Sequence, residues 1–184
     1  MEGRFVGLDV NVTAIQAAVR PTGERWETAR HDQGIAEVSE RLRSIDPTLV
    51  VIEAHGGSEL AVAGALATLG LPFALVPSRN IREFARALGR FRADDGQAGL
   101  LAYFAELVRP EVRTLSSETI EQLRCLRGRR QQIQEILRLE RSRLTQDSPI
   151  LYKDIKSHVY FLERSLLTIG EEISRTVRSS CIWR

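Results

Sequence analysis

Carboxylates stand where apolar elements end or a helix begins. Asp9 lies near the close of the run Phe5-Val6-Gly7-Leu8-Asp9-Val10, Glu53 closes the run Thr48-Leu49-Val50-Val51-Ile52-Glu53, and Asp94, with Asp95 beside it, opens a later helix. A charged side chain at the end of an otherwise apolar strand is held at the edge of a sheet, and acids from several such positions can converge. Hard divalent cations such as Mg2+ or Mn2+ take oxygen ligands, and neighbouring carboxylates repel one another unless an ion lies between them. A site of this kind activates a water or a hydroxyl and stabilises the departing oxygen of a phosphodiester. The other reading of the same residues is a set of solvated element ends with no shared role.

The elements that must position these acids follow from the apolar pattern. Phe5–Val10 and Val12–Val19 read as strands, the turn Pro21-Thr22-Gly23-Glu24 follows, and Arg25–Arg30 reads as a third strand, so the chain opens on an antiparallel meander. Ile35, Val38, Leu42 and Ile45 recur at helical spacing and Pro47 stops that helix. Thr48–Glu53 is a buried strand, Gly56-Gly57 a tight strand-to-helix turn, and Ser58 the expected N-cap of a helix through Leu69. A strand over Leu71–Val76 and helices over Ser78–Leu88 and Ala93–Val108 complete a βββαβαβα order with one further helix. Strands alternating with helices after a meander predict a mixed sheet with helices on its faces. Beyond Ser116 the pattern changes. Ile120, Leu123, Leu126, Ile133, Ile136, Leu137 and Leu144 form one stripe, Pro149 interrupts, and Ile155, Val159, Leu162, Leu166, Ile169, Ile173 and Val177 form another. Two long helices are expected, packed antiparallel on each other or against a partner chain as a coiled coil.

Charge divides the chain in the same place. The net charge is +2, yet residues 1–112 carry 12 Lys+Arg against 15 Asp+Glu while residues 113–184 carry 14 against 9. A basic second part fits an anionic partner. No apolar stretch is long enough to span a membrane and the N-terminus lacks the layout of a signal peptide, so a cytoplasmic protein is expected. Cys125 and Cys181 are far apart and read as free thiols.

Three segments carry a resemblance. F-V-G-L-D-V over residues 5–10, V-V-I-E-A-H-G-G-S-E over 50–59 and N-I-R-E-F-A-R-A-L-G-R-F-R-A-D-D-G-Q-A over 80–98 together resemble the DEDD transposases of bacterial insertion sequences (the IS110 type) and the related pilin-gene invertases. Glu53-Ala54-His55-Gly56-Gly57-Ser58-Glu59 answers to the family's E-A-T-G-G-Y-E, and Arg92-Ala93-Asp94-Asp95-Gly96-Gln97-Ala98 to its K-T-D-x-x-D-A. The likeness runs through most of the chain, and the stretch from Pro149 to Trp183 resembles the family's coiled helices. It implies an α/β fold with a RuvC-like (ribonuclease H-like) mixed sheet and flanking helices over residues 1–112, and a basic helical arm over 113–184. It also implies Mg2+-dependent recombination of DNA together with a structured guide RNA. Carried over residue by residue, Asp9, Glu53 and Asp94 become the metal ligands, Mg2+ or Mn2+ the cofactor, and the fourth family aspartate falls on Gln97. A spacing of three places 94 and 97 on one helical face. The Gln97 amide oxygen can ligate a cation but brings no charge, and Asp95 points about 100° away, so weakened metal affinity is expected. The chain ends at Arg184, where the family continues into a domain bearing a nucleophilic serine, and this implies reduced activity for the chain alone.

Arginines supply the expected contacts to nucleic acid. Arg79, Arg82, Arg86, Arg90 and Arg92 leave Glu83 as the single acid of their segment, and the first four share a helical face leading to Asp94. Arg124, Arg127, Arg129 and Arg130 form a second cluster, suited to RNA or DNA or to plain surface charge. His55 can assist the acids or carry a proton, but the family motif has a small polar residue there and the residue reads as incidental; His31 and His158 have no evident partner. The leading expectation is the metal-dependent DNA-processing part of a transposase that oligomerises through its arm. The alternative is a non-catalytic nucleic-acid-binding and oligomerising module with the same ancestry. A compact junction-resolving enzyme of this fold needs no such arm.

Overall fold

Successive side chains of a strand point to opposite faces of its sheet, and in the first strand this alternation separates two cores. The computed structural model describes residues 3–89, 96–112, 115–146 and 150–180. In strand β1 (Phe5–Val10), Val6, Leu8 and Val10 enter one core while Phe5 enters the other, leaving Gly7 and Asp9 on Phe5's side. Strands β2 (Ala14–Arg20) and β3 (Arg25–Ala29) continue the meander, antiparallel at each step. Helix α1 (Asp32–Ile45) leads to β4 (Leu49–Ala54), helix α2 (Leu60–Thr68) to β5 (Phe73–Pro77), and helices α3 (Ser78–Ala87) and α4 (Gly96–Val108) follow. The sheet order is β3-β2-β1-β4-β5, with β4 parallel to β1 and β5 parallel to β4. Only β2 runs against the rest. This is the ribonuclease H-like sheet that the resemblance implied.

The helices divide between the faces. Ile35, Val38 and Leu42 of α1 and Leu60, Val62 and Leu66 of α2 cover the face of Val6 and Leu8; Ile81 of α3 and Leu100, Leu101 and Phe104 of α4 cover the other. Helix α1 begins at His31, whose Nδ1 accepts from the Gly34 N–H at 3.0 Å, and ends at Asp46 in the left-handed conformation (φ 52°) just before Pro47. His31 therefore has a partner that its sequence context did not reveal. Ser58 is not the cap of α2: Glu59 occupies that position without a side-chain cap bond, and the Ser58 hydroxyl donates to the Val10 carbonyl at 3.0 Å. The hydroxyl ties the start of α2 to the end of β1 instead.

The two long helices, α5 (Ser117–Gln146) and α6 (Tyr152–Ser179), form an antiparallel hairpin. Ile133 and Leu137 pack on Ile155, Val159 and Leu162 in its outer part. At its root Leu123, Ile173 and Val177 are buried in the same core as Val6 and Leu60. Of the two arrangements expected for these stripes, antiparallel packing within one chain is the one present over much of their length. Cys125 is a free, exposed thiol, and among the described residues no helix is long and apolar enough to cross a membrane.

Gly7 sets the spacing between β1 and α4. A Cβ on this residue would run into the Ala98 carbonyl oxygen and the Ala102 nitrogen and lie 2.6 Å from Leu101 Cβ. The backbone of α4 thus rests directly on β1, and only glycine permits that approach. Gly7→Ala should lower stability by about 1–3 kcal/mol, the usual effect of overpacking. Gly128, inside α5, has nothing within 4 Å of an added Cβ, so Gly128→Ala should raise stability by roughly 0.5–1 kcal/mol. Urea unfolding of both variants measures the contrast, and equal losses would contradict the proposed close approach.

Candidate metal centre

Two strand-end acids meet because their strands are parallel and in register. Leu8 of β1 pairs with Ile52 of β4, and the next residues, Asp9 and Glu53, fall on the face covered by α4. Glu53 is almost fully buried, with 4% of its side chain exposed, and Asp9 has 16% exposed. His55 lies just beyond β4, two residues after Glu53, and so returns to the same side. Its Nε2 stands 3.3 Å from Glu53 Oε2 and 3.5 Å from Asp9 Oδ1. Single donor atoms of Asp9, Glu53 and His55 all lie within 4.8 Å of one another.

Gln97 closes the site from above. It sits in the first turn of α4, and its Nε2 donates a hydrogen bond to Glu53 Oε2. A buried carboxylate needs such partners, because losing its water is costly. The electrostatics show the strain of the arrangement. Burial holds the Asp9 carboxyl above the usual carboxylate range and the nearby Glu53 charge pushes the same way, while the charge and hydrogen bond of His55 oppose them.

The loop that carries His55 is fastened on several sides. Gly56 (φ 93°) and Gly57 (φ 144°) adopt backbone conformations that favour glycine, as the tight turn required. Glu59 is fully buried; its Oε2 accepts from the Gly57 N–H at 3.1 Å and from the Ser58 hydroxyl at 3.3 Å, while its Oε1 has no partner among the described residues. Arg178, from the last turn of α6, donates to the Gly56 carbonyl at 2.9 Å.

The remaining expected site residues fall into three groups. Asp94, Arg90 and Arg92 lie outside the described residues. Arg79, Arg82 and Arg86 are exposed along α3, opposite the face that buries Ile81, and Arg79 pairs with Glu83 at 2.8 Å. The start of α3 is held beside the site, since the Ser78 hydroxyl donates to the Ala54 carbonyl at 3.1 Å. Arg124, Arg127 and Arg130 are engaged by the chain itself. Arg127 donates to the Ala65 carbonyl at 3.1 Å and to the Thr68 hydroxyl, and Arg124 to the Thr68 carbonyl at 3.4 Å, so both satisfy the last turn of α2. Burial lowers the Arg127 guanidinium from its ordinary value, with Asp32 opposing. Arg130 grips the Asp32 carboxylate at 2.8–2.9 Å and donates to the Leu166 carbonyl at 2.7 Å. Arg129 remains exposed.

His55 is the residue that sequence reasoning set aside. The signal was present: two residues apart at a strand's end, Glu53 and His55 share a face. His158 also has a neighbour, Glu140, whose Oε1 lies 3.6 Å from its Nδ1.

The profile of the DEDD transposase family of the IS110 type, described as transposase, matches residues 6–146. No curated protein sequence matches the chain. Among solved structures, RuvC of T. thermophilus in complex with a Holliday junction substrate is similar, at 18% sequence identity and a TM-score of 0.36, over 66% of this chain and 89% of that chain.

The raised Asp9 pKa has a consequence for stability. Its folded-state value lies above the ordinary 3.8, so the ionised side chain disfavours the fold at neutral pH, and the penalty vanishes once pH falls below that ordinary value. With divalent ions chelated, Asp9→Asn should raise the Tm at neutral pH, and the gain should shrink as the pH is lowered through the carboxylate range. Thermal melts across pH test this; a Tm lowered at every pH would refute it.

Proposed function

The chain belongs to the DEDD transposase family of the IS110 type, and from that premise we propose that residues 1–112 act on DNA phosphodiesters with a divalent metal, while the arm over 113–184 holds nucleic acid and further copies of the chain. The observation that carries this reading is the convergence of Asp9 and Glu53 at the ends of two neighbouring parallel strands, with a third donor in reach. Donors around one ion at metal–ligand distances of about 2.1 Å stand roughly 3–3.5 Å apart, and the His55 distances of 3.3 and 3.5 Å fit that range. Bound there, Mg2+ or Mn2+ would activate a water or hydroxyl and neutralise charge on the departing oxygen.

The chain's own residues supply the rest. Asp9 and Glu53 offer oxygen ligands, with Asp94 the further acid of the family pattern. Gln97 orients Glu53, but it brings one negative charge fewer than an aspartate, so the affinity for a hard ion is weakened. The exposed arginines of α3 provide a basic edge beside the site for a DNA backbone. Arg129 leaves basic surface on the arm, where a structured guide RNA is the partner the family pattern implies. On the arm, Tyr160, Phe161 and Leu167 are 62%, 64% and 69% exposed, an apolar surface suited to self-association.

One observation favours the second reading, a non-catalytic nucleic-acid-binding and oligomerising module: the Gln97 amide donates to Glu53, taking up an oxygen that a metal ion would otherwise use. Calorimetric titration with Mg2+ and Mn2+ separates the two. The chain should bind Mn2+, Asp9→Asn should abolish binding, and Gln97→Asp should tighten Mg2+ binding about tenfold, since affinity rises with ligand charge. No binding by any of these proteins would leave the module reading. For the basic edge, the double variant Arg82→Glu/Arg86→Glu should weaken binding to branched DNA and flatten the dependence of log K on log salt by about two, near 0.9 per phosphate contact. Unchanged affinity and slope would remove α3 from the interface.

A further inference from the structure

We propose that His55 is a direct ligand of the metal centre and turns its preference from Mg2+ towards ions that accept nitrogen, Mn2+ and Co2+. The inference rests on the metal reading of Asp9 and Glu53 and goes beyond it, because it names the ion class and the residue that selects it.

Position and chemistry both support it. The Nε2 end of the imidazole points between the two carboxylates, 3.3 Å from Glu53 Oε2 and 3.5 Å from Asp9 Oδ1. That is the spacing of ligands around a common ion, and a nitrogen lone pair there completes a three-sided set with the two oxygens. The ring is also placed in advance. Its loop is held by the left-handed glycines 56 and 57, by the Glu59 carboxylate, and by Arg178 on the Gly56 carbonyl. A ligand fixed by such supports binds with little reordering.

The donor set decides the ion. Mg2+ takes oxygen ligands and a tight octahedral shell, whereas imidazole suits transition ions, whose affinities for mixed nitrogen and oxygen sites rise from Mn2+ to Co2+ and beyond. Gln97 moves the balance the same way, since an amide in the place of an acid removes charge that a hard ion would need. A site of Asp9, Glu53 and His55 with a neutral residue at position 97 therefore discriminates against Mg2+ relative to a purely acidic one. His31 lies at the N-cap of α1 and His158 beside Glu140, so neither shares this site.

The test uses the whole chain loaded with Mn2+ alone. Pulsed electron paramagnetic resonance should show modulation from a directly coordinated imidazole nitrogen, and His55→Ala and His55→Gln should remove it. Circular dichroism melts confirm that both variants remain folded, as expected for a side chain that is 39% exposed. By calorimetry, the ratio of Co2+ to Mg2+ affinity should fall about tenfold in His55→Gln, an effect at the lower end of those seen when supporting groups of a metal site are lost. If Mn2+ binds and Asp9→Asn abolishes it, yet no nitrogen modulation appears and the ratio is unchanged in His55→Gln, the ligand role is wrong and the metal reading survives. Absence of binding for every ion would overturn both.

Discussion

Placing Asp9 and Glu53 side by side at the ends of β1 and β4 disfavours folding, because each carboxylate gives up water and each faces the other's charge. Much of the surrounding structure is arranged to hold that pair together. Parallel pairing keeps the two strand ends level. The missing side chain at Gly7 lets α4 rest on β1, which brings Gln97 onto Glu53. The Ser58 hydroxyl anchors the neighbouring loop to the Val10 carbonyl, and the glycines of that loop return His55 to the acids. The pair is thus held together at a local cost in stability, a pattern common at functional centres.

The arm is joined to this arrangement by both apolar and polar contacts. Leu123, Ile173 and Val177 enter the core beside α2, while Arg127 donates to the Ala65 carbonyl of α2 and Arg130 to Asp32. A run of arginines on a helix is ambiguous in a sequence for this reason. Charge and spacing are the same whether the partner is a phosphate or the end of a neighbouring helix, and only packing distinguishes them. The exposed arginines of α3 are the ones left facing solvent on the side of the acids.

The order of elements along the chain and the helix count were legible because they rest on periodicity. Alternation in β1 and the unbroken apolar run of β4 identify the strands, and the stripes beginning at Leu123 and Ile155 identify the hairpin. The pairing of Asp9 with Glu53 was legible too, since each is the charged end of an apolar strand. What escaped depended on single hydrogen bonds or on three-dimensional proximity. Ser58 has the identity of a helix cap, yet the Val10 carbonyl competes for its hydroxyl and wins. His55 was judged by the residue type a resemblance would place there, although its two-residue offset from Glu53 already fixed its direction. That the stripe of α6 would bury Ile173 and Val177 in the core of the sheet, and Val159 only against α5, could not be read from a stripe that looks uniform.

The bond from Arg178 to the Gly56 carbonyl joins the root of the hairpin to the loop behind His55. Helix α5 has 30 residues, a length of about 45 Å at 1.5 Å per residue, and Ile133 and Leu137 in its outer part pack against α6. Such a hairpin is a lever with its fulcrum at α2. Its short end touches the turn that carries His55, so a displacement of α6 at the root would be passed to the histidine and its distance from the two acids.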